Sequence, residues 1–434
     1  MKTGVIHILI KIILIRGYFM PVNELENTSG QLQVRLVIEG TLKPVANAMV
    51  QISYEGDPTS KMQQFITDES GMTELITLAA PNLEYSLQYS EEQPYAEYTI
   101  QVQAEGYEDV EVAGTEVLPG VIAIQEIEMR ASVPDEEFER IVIGPHTLFG
   151  TYPPKIAEDE IKPTDETGEI VLSRVVIPEF VIVHDGVPTD TSAKNYWVRF
   201  RDYIKNVASS EIYATWTDAA IRANVLAIMS FVLNRVYTEW YRNKGYDFTI
   251  TSSTAFDQKW IYGRNIFQTI SNVVDEMYGN YLSRPNVKQP ILTQYCDGKR
   301  VSCPNWMTQW GAQSLGEQGY SAIEILRYYY GDSIYINTAV EISGVPSSWP
   351  GYNLNQGTRG PKVQQMQEQL NVIAGSYPAL PRIAADGIYG PMTEAAVRKF
   401  QSIFGLLATG VVDYATWYKI SQIYVGVSRI AELR

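Results

Sequence analysis

The chain has 434 residues, 45% of them hydrophobic and 19% charged, a length that outgrows one hydrophobic core and predicts two to four domains. A net charge of −16 excludes nucleic acid as an expected partner, because no surplus of Lys and Arg is available to displace phosphate counterions. The charge is uneven: residues 20–140 hold 23 acidic against 5 basic side chains, whereas 141–434 are nearly neutral, so the front third reads as a separable acidic unit.

In chain order, residues 1–25 read as a pre-sequence or an N-terminal extension. Their apolar run is broken by His7 and Lys11 and is too short to span a bilayer. No other stretch reads as transmembrane, so no integral membrane segment is expected. Residues 26–130 predict an acidic β-sandwich. GQLQVRLVIEG, AMVQISYEG and TIQVQAEGYEDVEV alternate apolar and polar positions, and turns at Glu39-Gly40, Glu55-Gly56-Asp57-Pro58 and Asp68-Glu69-Ser70-Gly71 separate the runs. Residues 131–190, rich in Pro, Asp and Glu, read as an extended linker of the kind that proteases cut.

Residues 191–340 carry the helical periodicity of a central α+β domain. WTDAAIRANVLAIMSFVLNRVYTEWYRNKGYD predicts a helix capped by Thr217 or Asp218, striped at three-to-four spacing and stopping near Gly245. FQTISNVVDEMYGNYL predicts a second helix, and SAIEILRYYYG a third that ends at Gly331. Residues 341–354 form a second linker. Residues 355–425 hold a pseudo-repeat, with amphipathic helices in GTRGPKVQQMQEQL and GPMTEAAVRKFQSIFGL and an echo of the same turn in TGVVDYATW; they predict a small three-helix bundle. The whole is a multidomain α+β chain.

Candidate chemistry is sparse. The 29 Tyr and 8 Trp suit sugar stacking but fill ordinary cores as well. Cys296 and Cys303 are open to a local disulfide, to free or packing thiols, and to a metal with distant ligands. His7, His146 and His184 lie far from them, so neither metal nor cofactor is expected.

The matches in 357–417 carry the most specific resemblance: Gly357, Arg359, Gly360, Val363, Gln367 and Leu370, then Asp386-Gly387-Ile388-Tyr389-Gly390, Thr393, Ala396-Val397 and Phe400-Gln401, then Gly410, Asp413, Thr416 and Trp417. Together they resemble the type 1 peptidoglycan-binding module and imply peptidoglycan as partner. Gly387 and Gly390 are expected to allow a tight turn, Thr393 or Asp386 to cap the following helix, and Val397 and Phe400 to enter the core. Upstream, LKPVANAMVQI, FITDESGMTELITL and YTIQVQAEGYEDVEV resemble the carboxypeptidase regulatory-like sandwich, a non-catalytic module.

The central domain resembles the stage II sporulation protein D family in three ordered segments. They are Tyr203, Val207, Glu211, Trp216 and Ala220–Asn224; Gln258, Trp260 and Gly263; and Thr308, Gln309, Trp310, Gly311 and Ala312. That family implies lytic transglycosylase chemistry, in which one protonated carboxyl gives its proton to the glycosidic oxygen and later takes one from the sugar's own 6-hydroxyl. Glu211 is the acid carried over, and Tyr203, Trp216, Gln258, Gln309 and Trp310 are the substrate-binding candidates. Without the resemblance, Glu211 reads as an exposed residue that satisfies a helix dipole. Two departures, Ala219 where the family has Glu and Met229 where it has Arg, keep open a non-catalytic wall-binding or amidase-enhancing protein. N-acetylmuramoyl-L-alanine amidase activity is the third reading.

The order of parts resembles the spore cortex-lytic enzymes. That resemblance implies an inactive precursor outside the inner spore membrane. A subtilisin-like germination protease would activate it by a cut near Arg140, Ile141 and Val142. The sandwich would then act by covering the groove rather than by charge repulsion, which salt screens.

Overall fold

The alternation in residues 29–38 is read out directly by burial: Leu32, Val34 and Leu36 are fully buried, while Gln33 and Arg35 between them are half-buried. The computed structural model describes residues 28–55, 62–132, 139–162, 172–339, 341–344 and 348–428, with backbone only at 14–15 and 18–19. Most of the expected pre-sequence, the turn at Gly56-Asp57-Pro58 and residues 133–138 and 163–171 of the expected linker lie outside the described residues.

Among the described residues from 28 to 162 there are eight strands: β1 (Ser29–Ile38), β2 (Met49–Tyr54), β3 (Gln63–Ile66), β4 (Ile76–Ala79), β5 (Ala96–Gln103), β6 (Val110–Val117), β7 (Ile122–Met129) and β8 (Glu139–Val142). They form two sheets, β8-β6-β5-β2-β3 and a second that runs β7-β1-β4. At the turn after β3, Asp68 Oδ1 accepts from the N–H groups of Ser70 at 2.8 Å and Met72 at 3.0 Å. Gly71 there has φ +72°, and a Cβ would sit 2.5 Å from the Leu36 carbonyl oxygen, so only glycine fits.

The sandwich does not stand apart. The short strand Ile266–Phe267, far downstream, adds to β7 antiparallel, with Ile266 opposite Ile124. β8 itself adds parallel to β6, Ile141 opposite Val112. Residues 139–162 are extended, as a Pro-rich linker should be, yet they are tied down along their length. Thr147 N–H donates to the Ser210 carbonyl (3.0 Å) and Ile156 N–H to that of Ala255 (2.7 Å), while Leu292 N–H donates to the Glu160 carbonyl (2.9 Å). His146 in this stretch is fully buried.

The central part carries helices α1 (Phe200–Glu211), α2 (Asp218–Tyr237), α3 (Gln268–Met277), α4 (Gln309–Glu317) and α5 (Ala322–Tyr330). Strands Phe180–His184, Asn195–Arg199 and Ile250–Thr251 make a small sheet beside them. Thr217 caps α2, its side chain accepting from Ala220 N–H. The expected stripe is absent: α2 packs against α1, α3, α4, α5 and strand Asn280–Ser283, so nearly every side chain is buried. Among the described residues α2 is the one helix long and apolar enough to cross a membrane, and 83% of its most apolar window lies inside the protein. It stops at Tyr237, with a 3-10 turn (Arg242–Lys244) before Gly245. α3 is also shorter than predicted. Gly279, at φ +91°, turns the chain into strand Asn280–Ser283, which pairs with Tyr335–Thr338. α5 begins with a Ser321/Glu324 capping box and ends at Gly331, as predicted.

The last helices are α6 (Pro361–Ile373), α7 (Pro391–Ile403) and α8 (Tyr414–Ser428). α6 and α7 start with proline, whose missing N–H costs nothing in a first turn. Tyr377 donates to the Leu42 carbonyl of the sandwich (2.6 Å) and Tyr414 to the Tyr278 carbonyl (2.6 Å), so one continuous core joins all three parts.

Candidate active site and wall-binding module

Glu211 is the last residue of α1. The carbonyl end of the helix dipole disfavours a carboxylate there, which is the opposite of the dipole-satisfying reading. The residue is 3% exposed and lines a small cleft that opens to solvent. Oε2 accepts from the Tyr295 hydroxyl at 2.5 Å, and Oε1 from the Lys259 backbone N–H at 2.7 Å. Burial pushes the carboxyl above the usual range; the nearby Lys155 ammonium and these two donors pull it back only in part.

The cleft walls come from separate stretches. Thr147, Tyr152 and Lys155 belong to the extended segment after β8, Thr254 to a loop, and Asp297, Arg300 and Gln309 to the region that opens α4. Asp297 is the other carboxylate on the wall, but its oxygens accept from the N–H groups of Lys299, Arg300 and Val301 and fix that turn. Cys296 and Cys303 are joined as a disulfide beside it.

Two of the expected substrate contacts sit behind the acid instead. Tyr203 and Gln258 are fully buried, too deep to meet a glycan. Tyr203 donates to Gln258 Oε1 (3.0 Å), and Gln258 Nε2 donates to the Tyr295 hydroxyl (3.1 Å), which in turn donates to Glu211. The motif residues therefore hold Tyr295, and Tyr295 holds the acid. Sequence reasoning missed Tyr295 and Lys155, because PILTQYC has no period and Lys155 follows two prolines in a stretch that reads as linker.

Gln309 is on the cleft wall, and Trp310 packs beside it at 5.1 Å from Trp216 between ring centroids. A sandwich segment lies on this aromatic pair. Trp216 Nε1 donates to the Ser86 carbonyl (2.9 Å), Thr215 donates to Ser86 Oγ (2.9 Å), and Tyr89 meets Trp310 edge-on at 6.2 Å. Arg140, Ile141 and Val142 lie in β8, an edge strand, with the Val142 side chain 67% exposed.

In the C-terminal helices one device occurs twice. Gln367 Oε1 accepts from Gly387 N–H (2.9 Å), and its Nε2 donates to Thr393 Oγ1 (3.0 Å) and Asp386 Oδ1 (3.2 Å). Gln401 Oε1 accepts from Gly410 N–H (2.8 Å), and its Nε2 donates to Thr416 Oγ1 (3.1 Å). Tyr389 links the two by donating to the Gly410 carbonyl (2.7 Å). Gly387 has the expected positive φ of 72°, but Gly390 is extended and is itself the cap of α7. Neither Thr393 nor Asp386 caps that helix: Thr393 lies inside its first turn, and Gln367 engages both side chains. Val397 and Phe400 are fully buried.

Residues 359–420 match the type 1 peptidoglycan binding domain family. A zinc D-Ala-D-Ala carboxypeptidase of Streptomyces albus G is 43% identical over 77 residues, 18% of this chain and 28% of that one, so the chain spans under a third of that relative's length. Among solved structures, a minor pilin of Streptococcus agalactiae aligns at 15% identity over 26% of this chain and 49% of that one, with a TM-score of 0.18. The catechol 1,2-dioxygenase of Acinetobacter sp. ADP1 aligns at 13% over 26% and 59%, with a TM-score of 0.17. Scores this low carry no argument about the fold. Residues 359–420 are a module of the peptidoglycan-binding domain family.

Proposed function

We propose that this chain is a peptidoglycan lytic transglycosylase of the spore cortex-lytic type, made as a proenzyme and activated by proteolysis at germination. The observation that carries the reading is the buried Glu211 carboxyl, raised in pKa and bordering a cleft. Held protonated, it donates to the glycosidic oxygen as the β-1,4 bond between MurNAc and GlcNAc breaks. The resulting carboxylate then takes the proton of the muramic 6-hydroxyl, whose oxygen closes a 1,6-anhydro ring. No water is consumed and the acid is restored. One carboxyl suffices, unlike the two-carboxylate hydrolases, and the Asp297 oxygens are occupied by backbone N–H groups. Gln309, which lines the cleft, would meet the sugar there, and the buried Trp310 would reach it only once the sandwich segment over it has left.

The wall-binding domain and the sequence shared with a D-Ala-D-Ala carboxypeptidase support peptidoglycan as the substrate. The sandwich segment on Trp216 and Trp310 supports the proenzyme reading, as does the edge-strand position of Arg140–Val142 for a subtilisin-like germination protease. The enzyme would act in the spore cortex, outside the inner spore membrane. The test is digestion of cortex peptidoglycan by the full chain, before and after limited subtilisin treatment, with products identified by mass. Anhydro-muramic ends that increase on treatment are expected. Freed stem peptides alone would indicate an amidase, and no products a wall-binding protein or amidase enhancer.

A further inference from the structure

We propose that Lys155 is a positioning residue for the Glu211 carboxyl, carried to the cleft by a strap, residues 145–162, that belongs to the central helices and not to the sandwich. The inference rests on the reading of Glu211 as the acid.

Ownership of the chain changes at Pro145. Just before it, Ile143 N–H still donates to the Ala113 carbonyl of the sandwich (2.9 Å). From His146 onward the bonds go mostly the other way. The His146 ring meets the Ile212 carbonyl (3.3 Å), Thr147 binds Ser210, and Glu158 takes both Nη atoms of the buried Arg235 at 2.6 and 3.0 Å. Gln294 clamps the strap between, accepting from Glu158 N–H (2.8 Å) and donating to the Ile156 carbonyl (2.6 Å). A cut at Arg140–Val142 would leave residues 145–162 joined in sequence to the central helices, whereas a cut after residue 162 would part them.

Lys155 Nζ donates to the main-chain carbonyls of Thr254 (3.2 Å) and Asp257, and sits 5.1 and 5.5 Å from the ring centroids of Phe231 and Tyr295. Among the described residues no carboxylate lies within 4.0 Å of it, so no contact ion pair consumes its charge. Lys155 and Glu211 line the same cleft. Burial pushes the Lys155 ammonium below its usual range, and the charges of Glu211, Asp257 and Glu158 hold it up against that, with Arg235 as the opposing cation. Asp257 is already satisfied by Arg235, Tyr241 and Thr251, and Glu158 by Arg235 and Lys162. Glu211 is left. The other titratable groups that sense Glu211 are Tyr295, Tyr203, Tyr152 and Lys259. Burial favours the protonated form of this acid. The Lys155 charge offsets part of that effect, so the carboxyl can release and regain one proton per turnover.

The experiment titrates Glu211 in the full-length chain by NMR of 13Cδ-labelled glutamate, with Glu211→Gln identifying the signal. Lys155→Met and Lys155→Gln should each raise its midpoint by about one pH unit, and Lys155→Arg should leave it near wild type. Gln keeps donors for the two carbonyls without the charge, so it decides the matter if Met does not fold. A midpoint unmoved in a neutral variant that melts like wild type would overturn the proposal. The titration needs no glycan, so an inactive chain would count against the proposed function and not against this linkage.

Discussion

At Glu211 the competing influences are few enough to vary singly. Tyr295→Phe deletes the donor to Oε2 and leaves Gln258 Nε2 without its hydroxyl acceptor. A hydrogen bond to a charged group is worth roughly 1.5–3 kcal/mol, so the rate of glycan cleavage should fall about tenfold or more. The carboxylate form loses support, so the protonated form persists to higher pH and the alkaline limb of the pH–rate profile should move upward. A profile that keeps its limb while the rate falls would mean that Tyr295 acts on the substrate. The Glu211 carboxyl was singled out because it falls in a motif; its surroundings were not. Tyr203 and Gln258 were found by the same motif but given the wrong station, since a spacing says which residues belong together and not which of them faces the cleft.

Among the elements, the paired glutamines of the C-terminal bundle make the clearest case. Each amide joins a turn glycine to a threonine of the next helix, so truncation leaves a buried N–H and a buried hydroxyl unpaired at once. Gln401→Ala should cost about 1–3 kcal/mol in denaturant unfolding, with Gln367→Ala similar. A loss below about 0.5 kcal/mol for both would show that the glutamines do not organise the turns. The pseudo-repeat was visible in the sequence, whereas its linchpins were not: Thr393 and Asp386 looked like caps because short polar side chains before a helix usually are. α2 was found by its cap, but its stripe was misread. A helix with neighbours on every side is apolar all round, and periodicity then carries no direction.

For the whole molecule, charge asymmetry suggested two separable parts, and the contacts between them went unseen because they join residues more than 100 apart. Glu116 of β6 meets Arg264 at 2.5 Å, both buried, and Asn265 exchanges bonds with the Glu116 backbone in both directions at 3.0 Å. Burial pushes the Glu116 carboxyl from 4.5 to about 7, against the pull of Arg264. A raised acid stabilises the folded state fully below its unfolded value and loses that contribution as pH rises through its folded value. Thermal stability of the full chain should therefore carry a declining component between pH 4.5 and about 7 that Glu116→Gln removes. Equal pH dependence in variant and wild type would show that this carboxyl does not titrate across the interface.

The proposed chemistry turns on one carboxyl, and one comparison reaches it directly: full-length wild type and Glu211→Gln, both treated with subtilisin, incubated with cortex peptidoglycan and assayed for 1,6-anhydro-muramic ends by mass. Such ends are expected from the wild type, with a loss of about 10²–10⁴-fold in the variant and peptidoglycan binding unchanged. Anhydro ends formed at equal rates by both proteins would contradict it.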